Sequence, residues 1–298
     1  MGSRSLSRFR DRLLFGLLRL LGGAGRRIPL RLGRAVGREL GSVASVLVRR
    51  ERAKALRNVA VAFPNLDEAA RRRIVRGMFR HLGETLFEVL WLPNLDRAAL
   101  DRTTDLEGFD NLERALSAGR GLIVFTAHCG NWEWLAATVA LCGYGVTALQ
   151  RERDDRGMND FVVGLRSLSG VETIDRGSPS SGRDMLRVLR SGRILAFLID
   201  QNIRGETEKV TFFGHPALTP TGPARLAIRA GVPVIAGFIE RRAGRLHAHF
   251  DQVIETHRGD DPLALTQRMT DAIEQQIRRA PEQWVWMHDR WRERKRNV

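Results

Sequence analysis

GLIVFTAHCGNWEW, residues 121–134, decides how the rest of the chain is read. An apolar run from Leu122 to Ala127 is too short for a buried helix and is bounded by glycine, so it reads as a buried strand. It delivers His128 into a Gly130–Asn131 turn, and Trp132, Glu133 and Trp134 then open a helical pattern. Working outward, the same texture recurs. YGVTAL (144–149), RILAFLID (193–200) and VPVIAGFIE (232–240) are apolar runs of strand length. Helical patterns separate them at about 131–142, 156–168, 182–190 and 221–230. Alternation of this kind predicts an α/β fold with a mixed, largely parallel central sheet flanked by helices. A strand pair around Leu246–Phe250 and a helical segment from Pro262, broken at Pro281, close the chain.

Upstream of this region the texture is helical. Residues 1–100 form an expected helical N-terminal region and residues 101–298 an α/β domain. Asn65 followed by Glu68 reads as a capping box ahead of RRRIVRGMFRHLGETLFEVLWL. Residues 4–21, RSLSRFRDRLLFGLLRLL, place Leu13, Leu14, Leu17, Leu18 and Leu21 on one helical face beneath a basic flank. That stretch is shorter than the ~20 residues a spanning helix needs. Arg19 also interrupts it, unlike the core of a cleaved signal peptide. A basic amphipathic helix lying in the membrane interface fits it. Cys129 and Cys142 are the only cysteines and flank a predicted helix, so reduced thiols in a cytosolic setting are expected.

The net charge is +15 and comes almost wholly from arginine, since Lys54, Lys209 and Lys295 are the only lysines. A field of this sign favours anionic partners: nucleic acid, an anionic bilayer, phosphorylated lipids or an acidic carrier protein. Nucleic acid ranks low among them, because the sequence carries no reading helix, zinc motif or aromatic RNA-binding signature.

Chemistry in open α/β sheets gathers where strands end and helices begin. His128 stands at such a junction with Glu133 on the first turn of the next helix. This suggests a general base with its orienting carboxylate: Glu133 holds the imidazole in one tautomer, and His128 takes the proton of an incoming substrate hydroxyl. Backbone N–H groups of residues 130–132 are the expected oxyanion donors. Other signals are weaker. GSPSSGRD (177–184) has the glycine spacing of a phosphate-binding loop but carries Arg183 and Asp184 where Lys and Ser/Thr are required. Cys129 beside His128 points away from it on an extended strand. His247 and His249 could share a strand face and bind metal, but read as exposed strand residues. Thr219 and Pro220 read as the start of the helix at 221–230. Phe212, Phe213 and Trp284, Trp286 and Trp291 read as aromatic packing or interfacial anchors, with His288 a weaker catalytic candidate.

Several blocks in order give the chain a family likeness: RNVAVAFPNL (57–66), HCGNWE (128–133), TIDRG (173–177), LIDQN (198–202), FFGHPALTPTGPARLA (212–227) and APEQWVWMHDRW (280–291). With His-x4-Glu at its centre, the sequence resembles the bacterial lipid A biosynthesis acyltransferases, a branch of the lysophospholipid acyltransferase superfamily. The resemblance implies a glycerolipid-acyltransferase-like fold, His128 and Glu133 as catalytic base and orienting acid, and Asn131, Arg151, Arg176 and Asp200 as substrate-binding residues. Arg153 is the alternative to Arg151 in QRERD, and Asp200 is expected to pair with one of these arginines. The implied reaction moves a fatty acyl group from acyl carrier protein or coenzyme A to a lipid hydroxyl, of a lipid A precursor or else of a lysophospholipid, aminolipid or mannosylated inositol lipid. No cofactor or metal is implied. The implied location is the cytoplasmic face of the bacterial inner membrane, on an anionic surface.

Overall fold

The computed structural model describes residues 27–150, 156–203 and 205–291. The expected interfacial helix at 4–21, together with Arg151 and Arg153, lies outside the described residues. Among the described residues three helices come first: α1 (Leu30–Leu47), α2 (Arg49–Ala62) and α3 (Glu68–Trp91). The capping residue of α3 is Asp67, whose Oδ1 accepts the Ala70 N–H at 2.7 Å, and not Asn65 as the capping-box pattern suggested. A short α4 (Arg97–Thr103) leads into β1 (Thr104–Glu107) and α5 (Phe109–Ser117). Then come β2 (Leu122–Thr126), α6 (Trp132–Leu141), β3 (Val146–Gln150), α7 (Arg156–Leu168), β4 (Val171–Asp175), α8 (Ser181–Arg190) and β5 (Ile194–Leu198). The hairpin β6 (Thr207–Phe212) and β7 (His215–Pro220) precedes α9 (Gly222–Ala230). The paired strands β8 (Val234–Arg242) and β9 (Arg245–Phe250) follow, and α10 (Pro262–Arg279) comes last.

The main sheet has seven strands in the order β1-β9-β8-β2-β5-β3-β4. Every pairing is parallel except β8 with β9, which gives the mixed sheet that the alternation predicted. β1, β4 and the separate β6–β7 hairpin have no counterpart in the sequence reading. β1 and β4 are edge strands, exposed enough that their residues make no continuous apolar run. Thr219 and Pro220 belong to β7, and the cap position of α9 falls on Thr221, with Pro223 in its first turn.

β2 lies at the centre and is buried at every position. Its alternating side chains separate two cores, as strand geometry requires. Ile123 and Phe125 pack with Val75, Met78 and Phe79 of α3 and with Trp284 and Trp286. Leu122 and Val124 pack with Trp134 and Leu135 of α6. The early helices therefore share a core with the sheet. α1 lies tightly on α3 because Gly37 meets Gly83: a Cβ at either position would come within 2.3 Å of the other's carbonyl oxygen. Among the described residues no helix is long and apolar enough to cross a membrane.

Candidate active site

The carboxyl ends of β2, β5, β3 and β4 point the same way, and most of the polar constellation collects there. β2 and β5 run in parallel register, Thr126 opposite Leu198, so His128 and Asp200, each two residues further on, come side by side. His128 Nδ1 lies 2.8 Å from Asp200 Oδ1, and the His128 backbone N–H donates to Asp200 Oδ2 at 3.0 Å. The indole N–H of Trp284 donates to the same Oδ2 at 2.8 Å. Asp200 is buried, which alone would raise its pKa. The His128 charge and these hydrogen bonds outweigh that and bring it down to about 2. An ionised carboxylate so placed claims the Nδ1 proton and leaves Nε2 with the lone pair. Gln201 Nε2 lies 2.9 Å from the same Nδ1, so its amide also packs against this edge of the ring.

The imidazole is otherwise open. Its side chain is 25% exposed, and Nε2 makes no hydrogen bond among the described residues. Trp132 stands edge-on at 4.9 Å between ring centroids, and His288 lies 6.1 Å away on the same basis. Burial and the neighbouring His128 keep the pKa of His288 low despite the pull of Asp200.

Glu133 is not the carboxylate on His128. It forms a two-pronged pair with Arg166 of α7, Nε to Oε2 at 2.8 Å and Nη2 to Oε1 at 2.6 Å. Trp132 Nε1 donates to its Oε1 at 3.2 Å. Arg166 continues to Gln150 Oε1 at 2.7 Å, and Gln150 Nε2 reaches Asp175 at 2.8 Å. This ladder ties the ends of β3 and β4 to the first turn of α6. Burial opposes the charge on Arg166, but Glu133 raises its pKa on balance. The reason for the difference from the sequence reading is reach. Glu133 projects from a helix whose first turn faces α7, while the ring is held from the neighbouring strand.

Asn131 was expected to contact substrate, but it is 0% exposed and committed at both ends. Its Oδ1 caps α6 by accepting the Trp134 N–H at 3.0 Å, and its Nδ2 donates to Glu88 Oε2 at 2.9 Å. It positions the loop. Asp200 likewise pairs with the ring and not with an arginine. Arg176 stands just past the end of β4, half-buried; its backbone N–H donates to Gln150 O at 2.8 Å, and its side chain makes no hydrogen bond or ion pair among the described residues. Of the expected oxyanion donors, the Gly130 N–H is spent on Gln283 O at 2.9 Å, which leaves those of Asn131 and Trp132 at the start of α6.

The loop is fixed from below. Gly130 has φ +63°, and a Cβ there would lie 1.6 Å from Ile239 O, so no other residue fits. His81 of α3 lies 3.1 Å from Gly130 O through Nε2, and its Nδ1 accepts from Arg241 at 2.7 Å. Burial, helped by Arg241, holds its pKa at about 3, so the ring is neutral with its proton on Nε2. Arg241 also pairs with Glu84 and Glu88, each at 2.8 Å, while Arg38 pairs with Glu84 and Arg34 with Glu88 at 2.6 Å. Burial favours neutral Glu88, but Arg241 and Arg34 prevail and lower its pKa. The far wall is fixed by Asn58, whose amide donates to Trp286 O at 2.7 Å and to His288 O. Arg166, Gln150 and the ion network went unread in the sequence. Single arginines and glutamines in an arginine-rich chain carry no signal of their own. Trp284 was read as packing, and it packs, but its indole also serves Asp200.

A half-exposed imidazole on a buried carboxylate, at the carboxyl end of a parallel sheet, is the equipment of a general base. Comparison with known proteins places the chain. Residues 3–293 match the family described as bacterial lipid A biosynthesis acyltransferase, and the chain belongs to that family. It is 28% identical over 218 residues to a phosphatidylinositol mannoside acyltransferase of Mycobacterium tuberculosis, covering 68% of this chain and 66% of that protein. It is 26% identical over 263 residues to the lipid A biosynthesis palmitoleoyltransferase of Escherichia coli, covering 87% of this chain and 84% of the relative. To the lipid A biosynthesis lauroyltransferase of the same organism it is 24% identical over 270 residues, covering 88% and 86%.

Proposed function

We propose that this protein transfers a fatty acyl group from a carrier thioester, on acyl carrier protein or coenzyme A, to a hydroxyl of a lipid acceptor of the lipid A precursor type. The observation that carries this reading is the His128–Asp200 pair, with Nδ1 anchored at 2.8 Å and Nε2 open to an incoming group. Nε2 takes the proton of the acceptor hydroxyl as its oxygen attacks the thioester carbon. The carbonyl becomes an oxyanion beside the first turn of α6, where the free N–H groups and the helix dipole favour negative charge. Collapse expels the thiolate, and the imidazolium returns the proton to it. Asp200 stabilises the imidazolium throughout without taking its proton. The net charge of +15 suits an acidic carrier protein and an anionic membrane surface.

The mycobacterial relatives support a second reading of the acceptor, in which the hydroxyl belongs to a mannosylated inositol lipid. Both readings share the donor chemistry and the base. The test offers purified protein a radiolabelled acyl thioester with each acceptor in turn. His128→Ala is expected to cut turnover by roughly 10³-fold or more while the protein melts as wild type does. A folded His128→Ala protein with full activity would overturn the mechanism. Labelled product on one acceptor alone chooses between the two.

A further inference from the structure

α1 is built inside out. A helix on the surface of a water-soluble protein turns its apolar stripe inward and its polar side outward. The buried positions of α1 are Gly33, Arg34, Gly37, Gly41 and Ser45. Its exposed positions include Leu32 (56%), Val36, Leu40 (56%), Val43 and Leu47 (73%). At 100° per residue these five fall within a sector of about 80°. Seven of the eleven exposed large apolar side chains among the described residues lie between Leu32 and Val48, so the patch is local and not a scatter. Arg31 at one end and Arg49 and Arg50 at the other are exposed beside it.

We infer that the outer face of α1 is a seat for an anionic lipid bilayer, with the leucine and valine stripe entering the headgroup boundary and the terminal arginines on lipid phosphates. An apolar stripe bordered by arginine is what such a surface accepts. Charge argues against a second copy of this chain as the occupant. Two-fold pairing with antiparallel helices would set Arg31 against the partner's Arg49 and Arg50. The inner face adds a consequence. Arg34 pairs with Glu88, and Glu88 holds Asn131, the cap of the loop that carries His128. A bilayer under α1 thus lies at a fixed distance from the base. The seat stands on its own; only its bearing on the reaction rests on the acyl-transfer reading.

The full-length protein is tested with vesicles of phosphatidylglycerol and, separately, of phosphatidylcholine. In a Cys142→Ser background an environment-sensitive dye is placed at Val43→Cys; Cys129 is buried and does not compete. The expected result is a blue shift of the dye with phosphatidylglycerol and little with phosphatidylcholine. The triple variant Leu40→Gln, Val43→Asn, Leu47→Gln, all at exposed positions, is expected to float with phosphatidylglycerol vesicles at least about tenfold less than wild type. His128→Ala floats as wild type, which keeps this test separate from that of the reaction. A wild type that does not float, or one that floats while the dye stays in water and the triple variant floats equally, overturns the seat. So does a wild-type dimer that the triple variant converts to monomer, which would assign the face to a second copy.

Discussion

Two carboxylates stand on either side of the loop after β2, and they are held in opposite ways. Asp200 is buried among donors that belong to, or serve, the histidine: the ring Nδ1, the His128 N–H and the Trp284 indole. Glu133 is held by a permanent cation, Arg166, through two parallel hydrogen bonds. A carboxylate on an imidazole orients a ring that can exchange a proton, whereas one on a guanidinium completes a fixed, two-pronged ion pair. On the proposed mechanism Asp200 is the group coupled to proton transfer. Glu133 shapes the opposite wall, fastening α6 to α7 and to the ends of β3 and β4.

Exchanging each acid for its amide breaks or sharpens that contrast. Asp200→Asn presents an amide to Nδ1, loses the pull that fixes the tautomer and leaves an imidazolium without its stabilising charge. The expected fall in kcat is about 10⁴-fold, with KM for the acceptor little changed. Glu133→Gln keeps one hydrogen bond to Arg166 and strands a cation whose side chain is only 11% exposed. The expected fall is roughly 10²-fold or less, from misplacement of the wall, with a loss of about 1–3 kcal/mol in urea unfolding. Steady-state kinetics on both variants decide the matter. A larger loss at Glu133 than at Asp200 would return the orienting role to Glu133.

The same contrast shows what the sequence carried. The strands β2, β3, β5 and β8 were legible as apolar runs between glycines, and His128 was legible because a polar, titratable residue ended the most apolar of them. Closeness in sequence points to Glu133 as the partner, yet the neighbour of the ring is Asp200, 72 residues on, at the end of another strand. Parallel register made that pairing, and register between distant strands leaves no local pattern. The ion network of Arg34, Glu84, Glu88 and Arg241 was hidden for a related reason. Its members sit on α1, α3 and β8, and each alone reads as a surface charge. The leucines and valines of α1 do share one sector, but which face turns inward is set by the close approach of Gly37 to Gly83, and a contact between distant helices leaves no local pattern.

Beneath the loop, His81 gives a second imidazole with the opposite design. His128 is open to solvent, whereas His81 is 5% exposed and locked between Gly130 O and Arg241. With its pKa near 3 in the folded state and 6.5 in the unfolded chain, His81 is neutral when folded at any pH above about 3. Between pH 6.5 and about 3 the unfolded chain binds a proton that the native protein refuses. Its contribution to stability is therefore complete above 6.5 and is lost as pH falls toward 3, by about 1.4 kcal/mol for each pH unit. Asp200, depressed to about 2, works in the same direction but only below pH 4. Urea unfolding of His81→Gln from pH 7 to pH 4 should show a slope shallower by close to one proton. An unchanged slope would mean that the ring is protonated, and so not a neutral donor, beneath the loop.

The smallest effect belongs to the thiol that adjoins His128. Cys129 is 1% exposed, and burial, with Asp200 adding to it, pushes the thiol well above its ordinary pKa. Its thiol packs against the core under the sheet while the His128 ring faces outward. A protonated, enclosed thiol is neither a nucleophile nor a target for alkylation. Cys129→Ala should keep turnover within about threefold of wild type, since only a small buried group is lost. Iodoacetamide at neutral pH should leave the native enzyme active and label Cys129 only after unfolding. An acyl-enzyme trapped at Cys129, or rapid inactivation of native protein that Cys129→Ala abolishes, would make the thiol the acceptor. His128 would then be the base for a two-step reaction, and not for direct attack by the lipid hydroxyl.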